Sequence, residues 1–438
     1  MALGGGTFLT QNKVLPGAYI NFISTAKASA TLSERGYGAM ALELDWGPEN
    51  EIFEVTNGDF QKNSLKIFGY DYSAEQLKGL RDLFLNIQTL YAYRLTSSGT
   101  KAANTYATAK YCGTRGNALK VVIEANADEE EKFDVSLYID NTTLLDKQTA
   151  VSTAAELLDN DYVVWKDEAS LAETAGAALS GGTNGTVNGA AHQTFLDKIE
   201  AYSFNVLGCV STEDEIKSLY VSYTKRLRDE VGAKFQLVVH NKEADYEGVI
   251  NVNNEVEEVG SFPVSSLVYW VTGAEASCAV NASLLNKKYD GEFTVKTDYT
   301  QSQLEKAIEG GKFTFHNVGT DIRVLSDINS LVTVSDTKGD IFKENQTIRV
   351  IDQIANDIAD IFNTRYIGVV PNDNSGRISL WNDIVKHHQQ LQEIRAIENF
   401  VPEDVTVVQG DSKKAVVVND KVTVVNAMAQ LYMTVEIA

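Results

Sequence analysis

The sequence predicts an α+β and α/β multidomain protein. A central α/β domain carries an inserted β-rich domain, and a C-terminal domain of long helices plus β-strands follows, with extended N- and C-terminal arms. Three observations carry this reading. Strand–helix–strand patterns stand on both sides of a stretch rich in Gly, Ala, Thr and Asn, so one α/β domain (27–95 and 196–343) is split by an insert (96–195). Two long helical patterns come next, in 344–425, and the chain turns to strands after Pro402. Both ends, 1–26 and 426–438, read as extended segments, the first containing "NKVLPGAYINF" (12–22) and the second being "NAMAQLYMTVEIA". At 438 residues the chain exceeds one ordinary core, and its 44% hydrophobic content suffices for several.

The elements follow in order. "RGYGAMALELDWGP" (35–48) is a strand closed by a Gly-Pro turn. "SAEQLKGLRDLFLNI" (73–87) is a helix, with Ser73 and Gln76 at capping-box spacing and Leu77, Leu80, Phe84 and Ile87 on one stripe. The strand "TLYAYRL" (89–95) completes the unit. In the insert, "LKVVIEA" and "FDVSLYID" flank an acidic tip at Asp128–Glu131, and "LSGGTNGTVNG" (179–189) suits turns or a hinge. "YSFNVLGCV" (202–210) is a buried strand. Thr212 and Glu215 stand where they would cap a helix bearing Ile216, Leu219, Tyr220, Tyr223 and Leu227, ended by Gly232 before the strand "KFQLVVH". "SQLEKAIEGG" is a short helix and 312–327 a hairpin about Gly319-Thr320. The long helices span 344–363 (Ile348, Ile351, Ile354, Ile358, Ile361) and 376–398 (Trp381, Ile384, Val385, Leu391, Ile394). "VTVVQ", "AVVV", "KVTVV" and the terminal run are strands.

Charge and motifs exclude much chemistry. With 60 acidic and 38 basic residues the net charge is −22, which repels nucleic-acid backbones and anionic membranes, so neither is expected as a direct partner. No basic segment precedes an apolar run at the start, and no stretch is apolar enough to span a bilayer. Cys112, Cys209 and Cys278, far apart and without a CxxC pair, read as reduced core thiols of a protein made in the cytoplasm. The βα turn "GCVSTEDE" sets Glu213, Asp214 and Glu215 where a phosphate would sit, and neither "GGTNGT" nor "GTRGN" completes a phosphate-binding fingerprint. Among five histidines none forms HExxH, and "DNDYVVWKDEAS" (159–170) lacks the Gly and final Glu of a calcium loop. No nucleophile is paired with a base. The expectation is therefore no enzyme, no metal and no cofactor.

The termini carry more. In the last run Leu431, Met433, Val435 and Ile437 alternate with Tyr432, Thr434 and Glu436, giving one apolar and one polar face. Such a strand either completes its own domain's sheet or is donated to a neighbouring subunit, and left unpaired it would aggregate.

Taken in order, "GTFLTQNKVLPGAYINF", "ALELDWGP", "GTRGNALKVVI", "LSGGTNG", "TKRLRDEVG", "DQIANDIADIFN", "SLWNDIVKHHQQLQEIRAIENF" and "PEDVTVVQGDSKKAVVVNDKVTVVNAMAQLYMTV" resemble one family. They look like the tail sheath protein of contractile, myovirus-type bacteriophage tails and phage-tail-like bacteriocins, closest to sheaths of phages and prophages of Gram-positive bacteria. The resemblance implies a structural subunit that polymerises as stacked six-fold rings around a tail tube, metastable when extended and contracting to drive the tube through a bacterial envelope. Its implied partners are further copies of itself, the tail tube protein, and baseplate and tail terminator proteins. It implies a place in a virion tail or bacteriocin particle assembled in the host cytoplasm, with a tube-proximal C-terminal domain and an outer insert.

It also implies strand exchange between subunits, with Val14, Ala18, Ile20 and Phe22 in one arm and Leu431, Met433, Val435 and Ile437 in the other. Lys386, His387, His388 and Arg395 concentrate positive or titratable groups on one predicted helix of an acidic chain. They are either a solvated face or groups that meet acidic groups on the tube. A soluble nucleotide-using α/β enzyme, and a secreted surface-layer component, are the competing classes; the loops argue against the first and the absent signal peptide against the second.

Overall fold

The computed structural model describes residues 32–437 apart from 259 and 261. The first arm, with Val14, Ala18, Ile20 and Phe22, lies outside the described residues.

The first segment comprises β1 (Tyr37–Leu42), β2 (Ile52–Thr56), α1 (Asn57–Phe68), α2 (Lys78–Phe84) and β3 (Thr89–Arg94). The reading of the sequence passes over β2 and α1 because α1 buries only Phe60, Ser64 and Phe68, too sparse a stripe to stand out. Its cap is nevertheless local: the Asp59 N–H donates to Thr56 Oγ1, and Gly69 closes the helix at φ 78°. The capping box expected at Ser73 and Gln76 does not form. A 3-10 turn, Glu75–Leu77, precedes α2, and Leu77 breaks the helical path (φ −97°, ψ 6°) while its side chain is buried.

Next come β4 (Lys101–Ala103), β5 (Ala107–Cys112), β6 (Leu119–Ala125), β7 (Phe133–Ile139), β8 (Thr143–Val151), β9 (Val163–Trp165) and β10 (Thr174–Ala178). They form two sheets, β4-β5-β9 and β10-β6-β7-β8, around one core that includes Ala107, Ala109, Val121, Ile123, Val135, Leu137, Val163 and Trp165. The chain leaves and returns side by side: Gly185 N–H donates to Thr96 O (2.9 Å), and Thr100 N–H to Thr183 O (3.1 Å). Gly99 is needed there, since a Cβ would stand 1.8 Å from Thr183 O. Arg94, fully buried, fastens this neck by donating to the carbonyls of Leu44, Gly47 and Cys112.

The chain then continues through α3 (Gly189–Ile199), β11 (Val206–Cys209), α4 (Asp214–Arg226), β12 (Gln236–His240), β13 (Val249–Val252), α5 (Leu267–Ser277), α6 (Gln301–Glu309), β14 (Lys312–Phe313), β15 (Phe315–Val318) and β16 (Asp321–Val324). One seven-stranded sheet, ordered β14-β13-β12-β11-β1-β3-β2, joins this segment to the first through the parallel β1–β11 pair. Only β2 runs antiparallel, against β3. Successive residues of β1 serve opposite faces, as a strand buried on both sides requires. Met40 and Leu42 enter the core with α1, α2 and α5, and Ala39 and Ala41 the core with α3 and α4. Helix α4 begins one residue after Glu213 with no side-chain cap, so Thr212 does not cap it. It runs on through a π turn, Leu227–Val231, and ends at Gly232 (φ 94°). The hairpin about Gly319 forms as expected.

The last segment is α7 (Asn345–Arg365), α8 (Asn374–Glu393), β17 (Ile397–Glu398), β18 (Val405–Gln409), β19 (Val416–Asp420) and β20 (Thr423–Val424). Helix α8 stops at Glu393, short of 398: Arg395 adopts φ 61° and Ala396 N–H returns to Leu391 O (2.8 Å), a left-handed closure without glycine. The freed residues make β17, which pairs with β20, while β18 and β19 form a separate hairpin.

Candidate assembly site

Residues 425–427 are tied to α7. Gln346 Nε2 donates to Val425 O (3.0 Å), Ala427 N–H donates to Gln346 Oε1 (2.9 Å), and Thr347 Oγ1 meets Asn426 Oδ1. Beyond them the predicted strand finds no partner among the described residues. Leu431, Met433, Val435 and Ile437 are 85%, 75%, 66% and 94% exposed, although their alternation is that of a half-buried strand. In the same segment, the β18–β19 hairpin has two strands among the described residues. An open groove lined by Gln392, Arg395, Ile397, Phe400, Val401 and Val425 runs beside β17. Among the described residues, the C-terminal segment thus carries both unpaired strand backbone and exposed apolar side chains.

Of the charged candidates, Lys386 and Arg395 are exposed. His387 and His388 are not: both are fully buried, a correction to their reading as surface groups. Their polar atoms are used internally. His387 Nε2 meets Asp357 Oδ2 (2.9 Å), His388 Nε2 meets Asp420 Oδ2 (2.7 Å), and the two Nδ1 atoms lie 3.2 Å apart. Burial works against the Asp357 charge, but hydrogen bonds from His387, Ser33 and Gln353 prevail and hold it below the ordinary carboxylate range.

The sequence reading also misses what α7 hides. Its isoleucine stripe is only partly covered, with Ile351, Ile354 and Ile358 half-buried, whereas Asn345, Arg349, Asp352, Gln353 and Asp357 are buried. Arg349 donates to Glu275 on α5 and to Asp327 (2.6 Å), and Asn345 Nδ2 donates to Asp327 Oδ1 (2.9 Å). Burial and the neighbouring Asp327 charge push the Glu275 carboxyl well above the ordinary carboxylate range, against the pull of Arg349. Burial opposes the Asp327 charge as well, yet the adjacent Arg349 guanidinium holds its carboxyl below the ordinary carboxylate range. A polar stripe at helical spacing, opposite the isoleucines, was the available signal. Its burial is set by the neighbouring segment and cannot be read from α7 alone.

Elsewhere the candidate chemistry is plain. Asp214 at the start of α4 pairs with Lys242 (2.8 Å), and all three cysteines are free and buried. Among the described residues no cluster of His, Cys, Asp and Glu could hold a metal ion, and no helix is long and apolar enough to cross a membrane.

Comparison with known proteins adds four family matches that run along the chain. Residues 35–95 match the tail sheath protein Gp18 domain III N-terminal region, and 97–184 the phage tail sheath protein β-sandwich domain. Residues 185–330 match the phage tail sheath protein central domain, and 337–438 the phage tail sheath C-terminal domain. The XkdK protein of the phage-like element PBSX of Bacillus subtilis (strain 168) is 31% identical, over 99% of this chain and 100% of its own length. The crystal structure of the sheath tail protein from Desulfitobacterium hafniense superposes with a TM-score of 0.80 at 37% identity, over 90% of this chain and 93% of that one. The anti-feeding prophage helical sheath in its contracted state shares the fold, with a TM-score of 0.56 at 14% identity over 97% and 99%.

Proposed function

The chain belongs to the phage tail sheath protein family, and on that premise we propose that it polymerises as stacked six-fold rings around a tail tube, extended and metastable, and contracts to drive the tube through a bacterial envelope. The observation that carries this reading is the run Leu431–Ile437, apolar on alternate residues yet exposed beyond its tether to α7. A strand of that pattern gains about 1.5–3 kcal/mol per buried side chain once it adds to another subunit's sheet. The N-terminal arm, through Val14, Ala18, Ile20 and Phe22, takes the same role. Main-chain pairing at arms is indifferent to how the bodies repack, so a mesh of arms survives a rearrangement that exchanges side-chain contacts between bodies. Stored assembly energy drives the stroke, which fits a structural protein without an active site. Baseplate and tail terminator proteins bound the polymer at its ends.

Lys386 and Arg395 face the acidic surface of the tube in this reading; each exposed pair contributes about 0–1 kcal/mol, and ring repetition multiplies it. The test is truncation before Met428, which spares the Gln346 tether. The shortened chain should melt within about 1 °C of the full chain, as exposed residues contribute little, and should form no sheaths by negative-stain microscopy. Long sheaths from the truncated chain would overturn the donated-strand reading. Lys386→Glu with Arg395→Glu should separately reduce extended sheath on tubes while sparing tube-free polymer, and unchanged yields would remove the tube assignment.

A further inference from the structure

A buried relay crosses the C-terminal segment. Ser33 Oγ donates to Asp357 Oδ1, and Gln353 Nε2 bridges Ser33 Oγ (2.6 Å) and Asp357 Oδ2 (2.8 Å). Asp357 meets His387, His387 meets His388, and His388 meets Asp420. The relay thus starts at Ser33, just after the N-terminal arm, and ends at Asp420, the last residue of β19, five residues before the tethered Val425.

Making all three contacts at once sets a proton count. Each of the three contacts, carboxylate to Nε2, Nδ1 to Nδ1, and Nε2 to carboxylate, needs one proton between its heavy atoms. Two neutral imidazoles supply two. The third is an extra proton, so the unit of two aspartates and two histidines carries three protons and a net charge of −1. Remove that proton and two Nδ1 lone pairs face each other; add a fourth and one contact holds two opposed protons. The groups around the pair are Asp357 from α7, Asp420 from β19, the neutral Ser33 and Gln353, and the Phe400 ring, 5.1 Å from that of His388. Asp383, one turn earlier on α8, is engaged by Arg365 (3.2 Å) and Tyr366 (2.9 Å).

We propose that the His387–His388 pair is a one-proton clasp, closed only while its three contacts hold three protons, that fastens the roots of both terminal arms to one buried point. Raising the pH past loss of the shared proton, or lowering it past gain of a fourth, releases Ser33 and the β19–β20 corner together. Its consequence for strand exchange rests on the assembly reading above; the clasp itself does not, because it is tested on the unassembled full chain.

With only five histidines, nitrogen-15 NMR of the labelled rings resolves each one. With the clasp closed, the expected result is one strongly downfield ring proton coupled to Nδ1 of His387 or His388, and protonated Nε2 on both. Two neutral rings without that proton would overturn the proposal. Hydrogen exchange, corrected for intrinsic rates, should then accelerate at 33–36 and 416–425 by tenfold per pH unit over the range in which the closed form keeps the shared proton and the opened form does not, the slope of a one-proton opening, and level off above it. His388→Gln retains a donor for Asp420 but has no Nδ1, and should abolish that slope. The same slope in the variant would sink the clasp; if the variant does not fold, the ring spectrum of the unaltered chain decides alone.

Discussion

Arg228 and Asp352 form a bidentate ion pair in the interior, Nη1 to Oδ2 at 2.6 Å and Nη2 to Oδ1 at 2.8 Å, between the π turn that ends α4 and the buried face of α7. Arg228 Nη1 also donates to Phe235 O, so one guanidinium binds the central sheet's connection to the C-terminal helix. Removing one partner strands the other charge out of water. Arg228→Ala should cost about 3–5 kcal/mol in chemical denaturation. Arg228→Met combined with Asp352→Leu should recover most of it, since an apolar pair of similar volume carries no desolvation penalty. A double variant as unstable as the single would show that shape, not charge, governs the contact.

Asp82 predicts a pH dependence. Its carboxyl, fully buried, is pushed up to about 6 by burial, against hydrogen bonds from Tyr289 Oη (2.5 Å) and Glu292 N (2.7 Å). The folded chain holds this proton more tightly than the unfolded chain, whose carboxyl titrates near 3.8. Stability from this group therefore falls as pH rises from about 3.8 to about 6, by up to about 3 kcal/mol, and is flat above. Asp82→Asn should flatten the melting temperature over that window. Parallel curves for the two proteins would show that other groups set the slope.

The neck at Thr96 and Gly185 predicts that the sandwich can be removed. Joining Ser97 to Asn184 through a short Gly-Ser link should leave the seven-stranded sheet folded, because the two ends already hydrogen-bond to each other. Assembly should survive if this part lies outside the mesh. Trp46, which contacts Tyr111 and Tyr162 of the sandwich at ring distances of 5.3 and 6.4 Å, would be uncovered and should be replaced by a polar residue in the same chain. Folded protein that no longer assembles would place ring contacts on the sandwich.

The parts of the fold visible in the sequence are those where one apolar side repeats. The strand at 37–42, helices α4, α7 and α8 and the Gly319 hairpin were legible because their periodicity is local. Helix α1 escaped because it buries three residues, and the end of α8 because Arg395 takes a conformation usually left to glycine. The histidines illustrate the deeper limit. His387 and His388 read as surface charge from composition, yet they are buried because Asp357 and Asp420, 30 and 32 positions away, satisfy them. Polar burial depends on a partner that hydropathy does not encode. The apolar alternation of 431–437 was legible, but a pattern names a buried face without naming whose sheet buries it.

The tether at Gln346 also sets a length. From its last fastened residue, Ala427, the ten residues 428–437 span about 33 Å when extended, at roughly 3.3 Å each. A strand donated across that gap can tolerate a displacement between bodies up to the slack left after pairing, and no further without tearing Val425 and Ala427 from α7. The arm is thus a leash of fixed reach. If the arm is donated as proposed above, any rearrangement that keeps two neighbours joined is limited to steps this leash can follow, and the travel of the polymer is the sum of such steps.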